Sequence, residues 1–128
     1  MSSRKLGLFG EKIALRYLKN QGYRILARNY IPKFIPGPQK GEIDIIARKS
    51  GVFHFVEVKA LAENGRDIFF PEDKVNFSKY EKIRKTAEFW LMKNNIPSES
   101  GWQIDVVAIV IEPDFKKAKI RFFENVGF

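Results

Sequence analysis

The chain has 128 residues, 45% of them hydrophobic and 30% charged, which suits a single domain, 1–128, with one real core. It has no cysteine and one histidine, so disulfides, thiolate zinc sites, cysteine nucleophiles and His-rich metal centres are excluded. A net charge of +8 fits a polyanion partner, nucleic acid above all, or a solvated basic face equally well.

The start, Met-Ser-Ser-Arg-Lys-Leu-Gly-Leu-Phe-Gly-Glu, carries no apolar h-region. No apolar run is long enough to cross a bilayer, so a cytoplasmic protein with no membrane partner is expected. Residues from about 7 to 21 predict a helix, with Phe9, Ile13, Ala14, Tyr17 and Leu18 at helical spacing and Gly22 as its stop. Glu11 shares a face with Ala14 and Leu18 and is expected to turn toward the core side. Tyr23 to Ile31 alternates as a strand, and the prolines and Gly37 make 32–40 a loop.

Two strands follow, Glu42 to Arg48 and Val52 to Ala60, joined by a turn at Lys49-Ser50-Gly51. Residues 61–72 read as a polar loop holding Ile68-Phe69-Phe70. A long helix is predicted from about Asp73, as N-cap, to Asn94, with Tyr80, Ile83, Ala87, Trp90 and Leu91 as its apolar stripe. Trp102 to Ile111 is apolar enough for a central strand, and Ala118 to Glu124 for an edge strand. The order α-β-β-β-α-β-β predicts an α/β fold with a mixed central sheet flanked by helices.

The charges stand out against this pattern. Residues 1–41 hold nine Lys or Arg and one acid, Glu11, whereas the remaining 87 residues hold fourteen of each sign. Arg4, Lys5, Lys12 and Lys40, with Lys79 on the second helix, are the candidate nucleic-acid contacts. Lys82, Arg84 and Lys85 fit a phosphate groove on that helix or a solvated face equally well.

If the hairpin turns at Ser50-Gly51, Lys49 faces Val52 and Asp44 falls opposite Glu57. Directly opposed side chains have Cβ atoms about 4.5–5.5 Å apart. Two carboxylates that close repel unless a cation or a proton lies between them. Lys59 shares the face of Glu57, one pleat on. All three charges sit in apolar runs, where charge requires a partner or a metal. Such a donor set suits a hard cation, Mg²⁺, Mn²⁺ or Ca²⁺, and two carboxylates give one Mg²⁺ site with open water positions. Taken singly, each feature also has a structural reading: a surface ion pair, a turn leading into a strand, an acid favoured by a helix dipole. His54 alternates to the opposite face and, like Asp105, reads as structural, while Phe53, Phe55, Phe69, Phe70, Trp90 and Trp102 read as core.

Gly10-Glu11 with Ala14 and Tyr17-Leu18, Gly22-Tyr23, Arg28-Asn29, Gly41-Glu42-Ile43-Asp44-Ile45-Ile46-Ala47, Val56-Glu57-Val58-Lys59 and Asp105-Val106-Val107 occur in order over roughly 7–110. Together they resemble the YraN-type family of small predicted endonucleases. That family belongs to the PD-(D/E)xK restriction-endonuclease-like superfamily and is similar to archaeal Holliday-junction resolvases.

The resemblance implies a restriction-endonuclease-like fold and metal-dependent hydrolysis of phosphodiesters in DNA, branched or damaged DNA included. Asp44 matches the metal-binding aspartate, with Ile43 before it in place of proline. Glu57 and Lys59 match the (D/E)xK pair, and Glu11 matches the helix-one glutamate that supports the metal. Lys79, one turn after Val75, is set against a second-helix position that helps hold the substrate. Ala60-Leu61 departs from the usual Thr-Arg, a loss that Arg66 could offset, and the loop at 32–40 is longer than usual. A binding module that keeps the fold without cleavage is the alternative, and a basic interaction protein with structural carboxylates is a third. Two-fold junction cleavage would require a homodimer.

Overall fold

The computed structural model describes residues 3–33, 41–62, 76–112 and 116–127. Its elements are α1 (Ser3–Asn20), β1 (Arg24–Tyr30), β2 (Ile43–Lys49), β3 (Val52–Ala62), α2 (Phe77–Lys93), β4 (Trp102–Ile111) and β5 (Ala118–Phe123). The strands form one mixed sheet in the order β1-β2-β3-β4-β5. Only β3 and β4 run parallel, and α2 lies in the crossover between them. A five-stranded mixed sheet flanked by two helices is consistent with a restriction-endonuclease-like fold. No helix among the described residues is long and apolar enough to cross a membrane.

Local chemistry sets the ends of these elements. Gly22, at φ +91°, ends α1 while its N–H donates to the Lys19 carbonyl and that of Tyr23 to Leu18. This pair of bonds is the Schellman closure, which favours glycine in the left-handed position. Asn95, at φ +56°, repeats the closure after α2, with Asn95 N–H to Met92 and Ile96 N–H to Leu91. The α2 cap is Asn76 rather than Asp73, because the Asn76 side chain reaches the Lys79 N–H at 2.8 Å. Asp73 itself lies outside the described residues. α1 begins four residues earlier than periodicity suggests, at Ser3. The Ser50-Gly51 turn has both residues at positive φ, +50° and +80°. This is the tight hairpin turn whose twist matches its strands.

The alternation of β2, β3 and β4 divides the core in two. Ile45, Ala47, Val56, Val107 and Ile109 pack under Ala14, Leu15 and Leu18 of α1. Ile46, Phe53, Phe55, Ile104 and Val106 pack under Ile83, Ala87 and Trp90 of α2. Burying a side chain such as Phe55 contributes roughly 1.5–3 kcal/mol. Because helices cover both faces, β4 is apolar without a break from Val106 to Ile111.

Two glycines set how closely the helices approach the sheet. A Cβ on Gly10 would lie 2.6 Å from the Ala60 Cβ, and one on Gly41 would lie 3.1 Å from the Lys82 Cβ. The Gly41 N–H donates to Thr86 Oγ1 at 3.1 Å, fastening the entry of β2 to α2. Position 60 thus faces α1, and its missing hydroxyl belongs to helix packing on that face.

Candidate active site

The β2–β3 ladder runs from Lys49–Val52 to Ile45–Val56, the register expected from the turn. Asp44 and Glu57 are the next positions, on the α2 face. There the Asp44 carboxylate takes the Val58 N–H at 2.7 Å, a donor that a strand carbonyl would otherwise satisfy. The hairpin therefore brings the two acids together where its backbone pairing ends. Glu57 is buried at 7% exposure, and Asp44 is half-buried.

Both acids line an open cavity of about 390 Å³ together with Gly41, Glu42, Lys79 and Lys82. Lys79, in the first turn of α2, forms an ion pair with Glu57 Oε1. Lys59 follows Glu57 on the same strand face and is half-buried, but it is not part of that cavity's lining. A cation that meets Glu57 on the cavity wall is thus supplied by α2.

Burial is the main force pushing the Asp44 carboxyl up to about 8, followed by the nearby Glu57 charge. The Val58 N–H opposes this shift, and Glu11 and Glu42 add to it. Glu11, half-buried on α1, is also raised, first by burial and then by Glu42, with Arg28 opposing and Glu57 adding. The Asn29 amide, oriented with its NH₂ toward the acids, donates to Glu11 Oε1 at 2.6 Å and Glu42 Oε1 at 3.2 Å. Asn29 adopts φ +49°, which asparagine tolerates better than most residues. Four carboxylates, Asp44, Glu57, Glu11 and Glu42, therefore share one field.

Glu42 and Asn29 are not among the site residues that the sequence singles out. The signal for both was present in the quoted runs Arg28-Asn29 and Gly41-Glu42, but nothing in periodicity joins a β1 residue to the entry of β2.

Among the described residues, no three Asp, Glu or His side chains are arranged to hold a metal ion unaided. The donor set nevertheless fits Mg²⁺ or Mn²⁺, which use one or two carboxylates and complete their shell with water and phosphate oxygen. The ammonium of Lys79 already stands where a cation relieves these acids. Asp44 and Glu57 would hold the ion, with Glu11 beyond them.

The other predicted contacts divide. Arg4 and Lys5 are exposed at the start of α1. Lys12 lines a second cavity with Phe9, Arg16, Tyr17 and Ile120, between α1 and β5 and away from the acids. Lys40 and Arg66 lie outside the described residues, as do Val75, Phe69 and Phe70. Arg84 is engaged by Glu81 and Glu88, so helix pairing takes up this cation of the candidate phosphate groove. His54 Nδ1 meets Asp105 Oδ2 at 2.6 Å, buried on the α1 side against Tyr23.

The family model of the uncharacterised protein family UPF0102 matches residues 10–109. The chain belongs to UPF0102. A UPF0102 protein of Campylobacter jejuni subsp. jejuni serotype O:23/36 (strain 81-176) is 41% identical over 122 residues, 95% of this chain and 93% of its own length. Another, from Campylobacter hominis, is 38% identical over 123 residues, 96% of this chain and 94% of its own. A third, from Campylobacter lari, is 36% identical over 128 residues, 100% of this chain and 98% of its own. The UPF0102 match opens at Gly10, where α1 meets Ala60, and encloses Glu11, Asp44, Glu57, Lys59 and Lys79.

Proposed function

We propose that this UPF0102 protein is a metal-dependent endonuclease acting on DNA, branched or damaged DNA included. The observation that carries this reading is the pair Asp44 and Glu57, brought together in an open cavity whose wall also bears Lys79 and Lys82. Acids in a basic protein are poorly suited to binding phosphates, unless a cation lies between. The sequence resemblance to small predicted endonucleases supports the same reading.

Mg²⁺ or Mn²⁺ bound there would polarise the phosphate and acidify a water. Asp44 and Glu57 would present oxygen ligands from two adjacent strands. Glu11 would add negative charge from α1 and help orient the ligand shell. Lys59, one pleat beyond Glu57, would orient the attacking water or neutralise the charge that develops on the phosphate. Lys79 and Lys82 would hold the neighbouring phosphates.

The deciding experiment is cleavage of labelled single-stranded, duplex, flap and four-way-junction DNA with Mg²⁺, Mn²⁺ or EDTA, beside Asp44→Asn. Metal-dependent cutting should vanish in Asp44→Asn while DNA binding holds or strengthens. Tight, salt-sensitive binding with no cutting of any substrate would favour the second reading, a binding module that retains the fold. The position of Lys59 outside the cavity lining is the observation in favour of that alternative. Neither cutting nor binding would defeat both.

A further inference from the structure

Glu57 has a cationic partner without any metal, and that partner comes from another element. The Glu57 side chain is 9% exposed and that of Lys79 51%. The acid is therefore fixed in the wall of the site, while the ammonium sits on a stem that can swing into solvent. The backbone of Lys79 is held, because its N–H is bound by the Asn76 cap at 2.8 Å. Movement is then confined to the side chain.

We propose that Lys79 is an internal substitute for the divalent cation: its ammonium neutralises Glu57 when the ion is absent and is expelled when the ion enters. This inference rests on the metal-site reading above. The reason is charge balance. A dication between Asp44 and Glu57 matches their two charges, and an ammonium kept against Glu57 would be repelled by it. Once released, Lys79 remains on the wall of the same cavity, beside Lys82, free to meet an entering phosphodiester. The exchange keeps the buried acid compensated in both states and makes the basic surface complete only after metal loading.

The test is calorimetric Mn²⁺ titration without nucleic acid, on the wild type, Asp44→Asn, Lys79→Met and Lys79→Arg. Wild type should bind Mn²⁺ and Asp44→Asn should lose it. Lys79→Met should bind about tenfold more tightly because its competitor is gone. Lys79→Arg should stay near wild type. If Lys79→Met does not fold, amine labelling of the wild-type protein decides the matter: modification of Lys79, read by mass spectrometry, should speed up when Mn²⁺ is added. Wild-type Mn²⁺ binding with unchanged affinity in a folded Lys79→Met, or unchanged labelling where that variant fails, overturns the substitute and leaves the metal site standing. No Mn²⁺ binding by the wild type overturns both.

Discussion

At the scale of single residues, Asp44 carries a conflict with a measurable sign. Its carboxyl is raised from 3.8 to about 8, chiefly by burial and then by Glu57. A carboxyl raised by folding contributes stability that is fully present below its unfolded pKa and is lost as pH climbs through the folded one. Thermal melts in EDTA should therefore show the midpoint falling from about pH 4 to pH 8, and Asp44→Asn should flatten that fall. Equal slopes for the two proteins would dismiss this account of the site. Asp105 is an acid ringed by donors. It accepts from His54 Nδ1 at 2.6 Å, Gln103 Nε2 at 2.8 Å and the Asn125 N–H at 2.9 Å. Asp105→Ala leaves these donors without their acceptor, at roughly 1–3 kcal/mol for each one left buried. Urea unfolding should register a loss of several kcal/mol on that scale, while any cleavage per folded molecule stays intact. A normal unfolding midpoint would show that water replaces the carboxylate.

Between elements, the two close glycine contacts decide where the helices sit. Gly10→Ala places a Cβ 2.6 Å from that of Ala60, so α1 has to lift from β3. Overpacking of this kind costs about 1–3 kcal/mol. Ala60→Gly in the same chain removes the opposing atom and should restore most of the loss. A double-mutant cycle with no coupling would place the strain elsewhere. On the other face, Thr86→Val deletes the hydroxyl that accepts the Gly41 N–H at 3.1 Å. The expected loss is about 1 kcal/mol, with faster hydrogen exchange at the Gly41 amide, two residues before the buried start of β2 and three before Asp44. Unchanged exchange at Gly41 would show that its amide is held without Thr86.

For the molecule as a whole, the order of elements and the hairpin register were legible in sequence for a physical reason. Ser50-Gly51 admits one tight turn, and side-chain alternation then leaves a single pairing that buries Ile45, Ile46, Val56 and Phe55 together. The placing of Asp44 beside Glu57 follows from that local rule. The rest of the site depends on three-dimensional closure. Lys79 reaches Glu57 only after the β3–α2–β4 crossover docks α2, and Asn29 reaches Glu11 only after β1 is laid beside β2. No residue spacing announces either meeting. The position of Lys12 shows the same limit: helical periodicity separates buried from exposed positions, but it does not tell which flank of α1 faces β5 and which faces the acids.

The turn at Ser50-Gly51 also bears on the time course of folding. A hairpin with so tight a turn closes in about 1–10 μs, whereas the parallel β3–β4 contact waits for the crossover that carries α2. The two central acids are then neighbours before the rest of the chain has found its place. Gly51→Ala, at φ +80°, should slow refolding and leave unfolding nearly untouched in a chevron analysis, while Ile120→Val in β5 should do the reverse. The end of the sheet that bears Asp44 and Glu57 would in that sequence of events be the oldest part of each newly folded molecule.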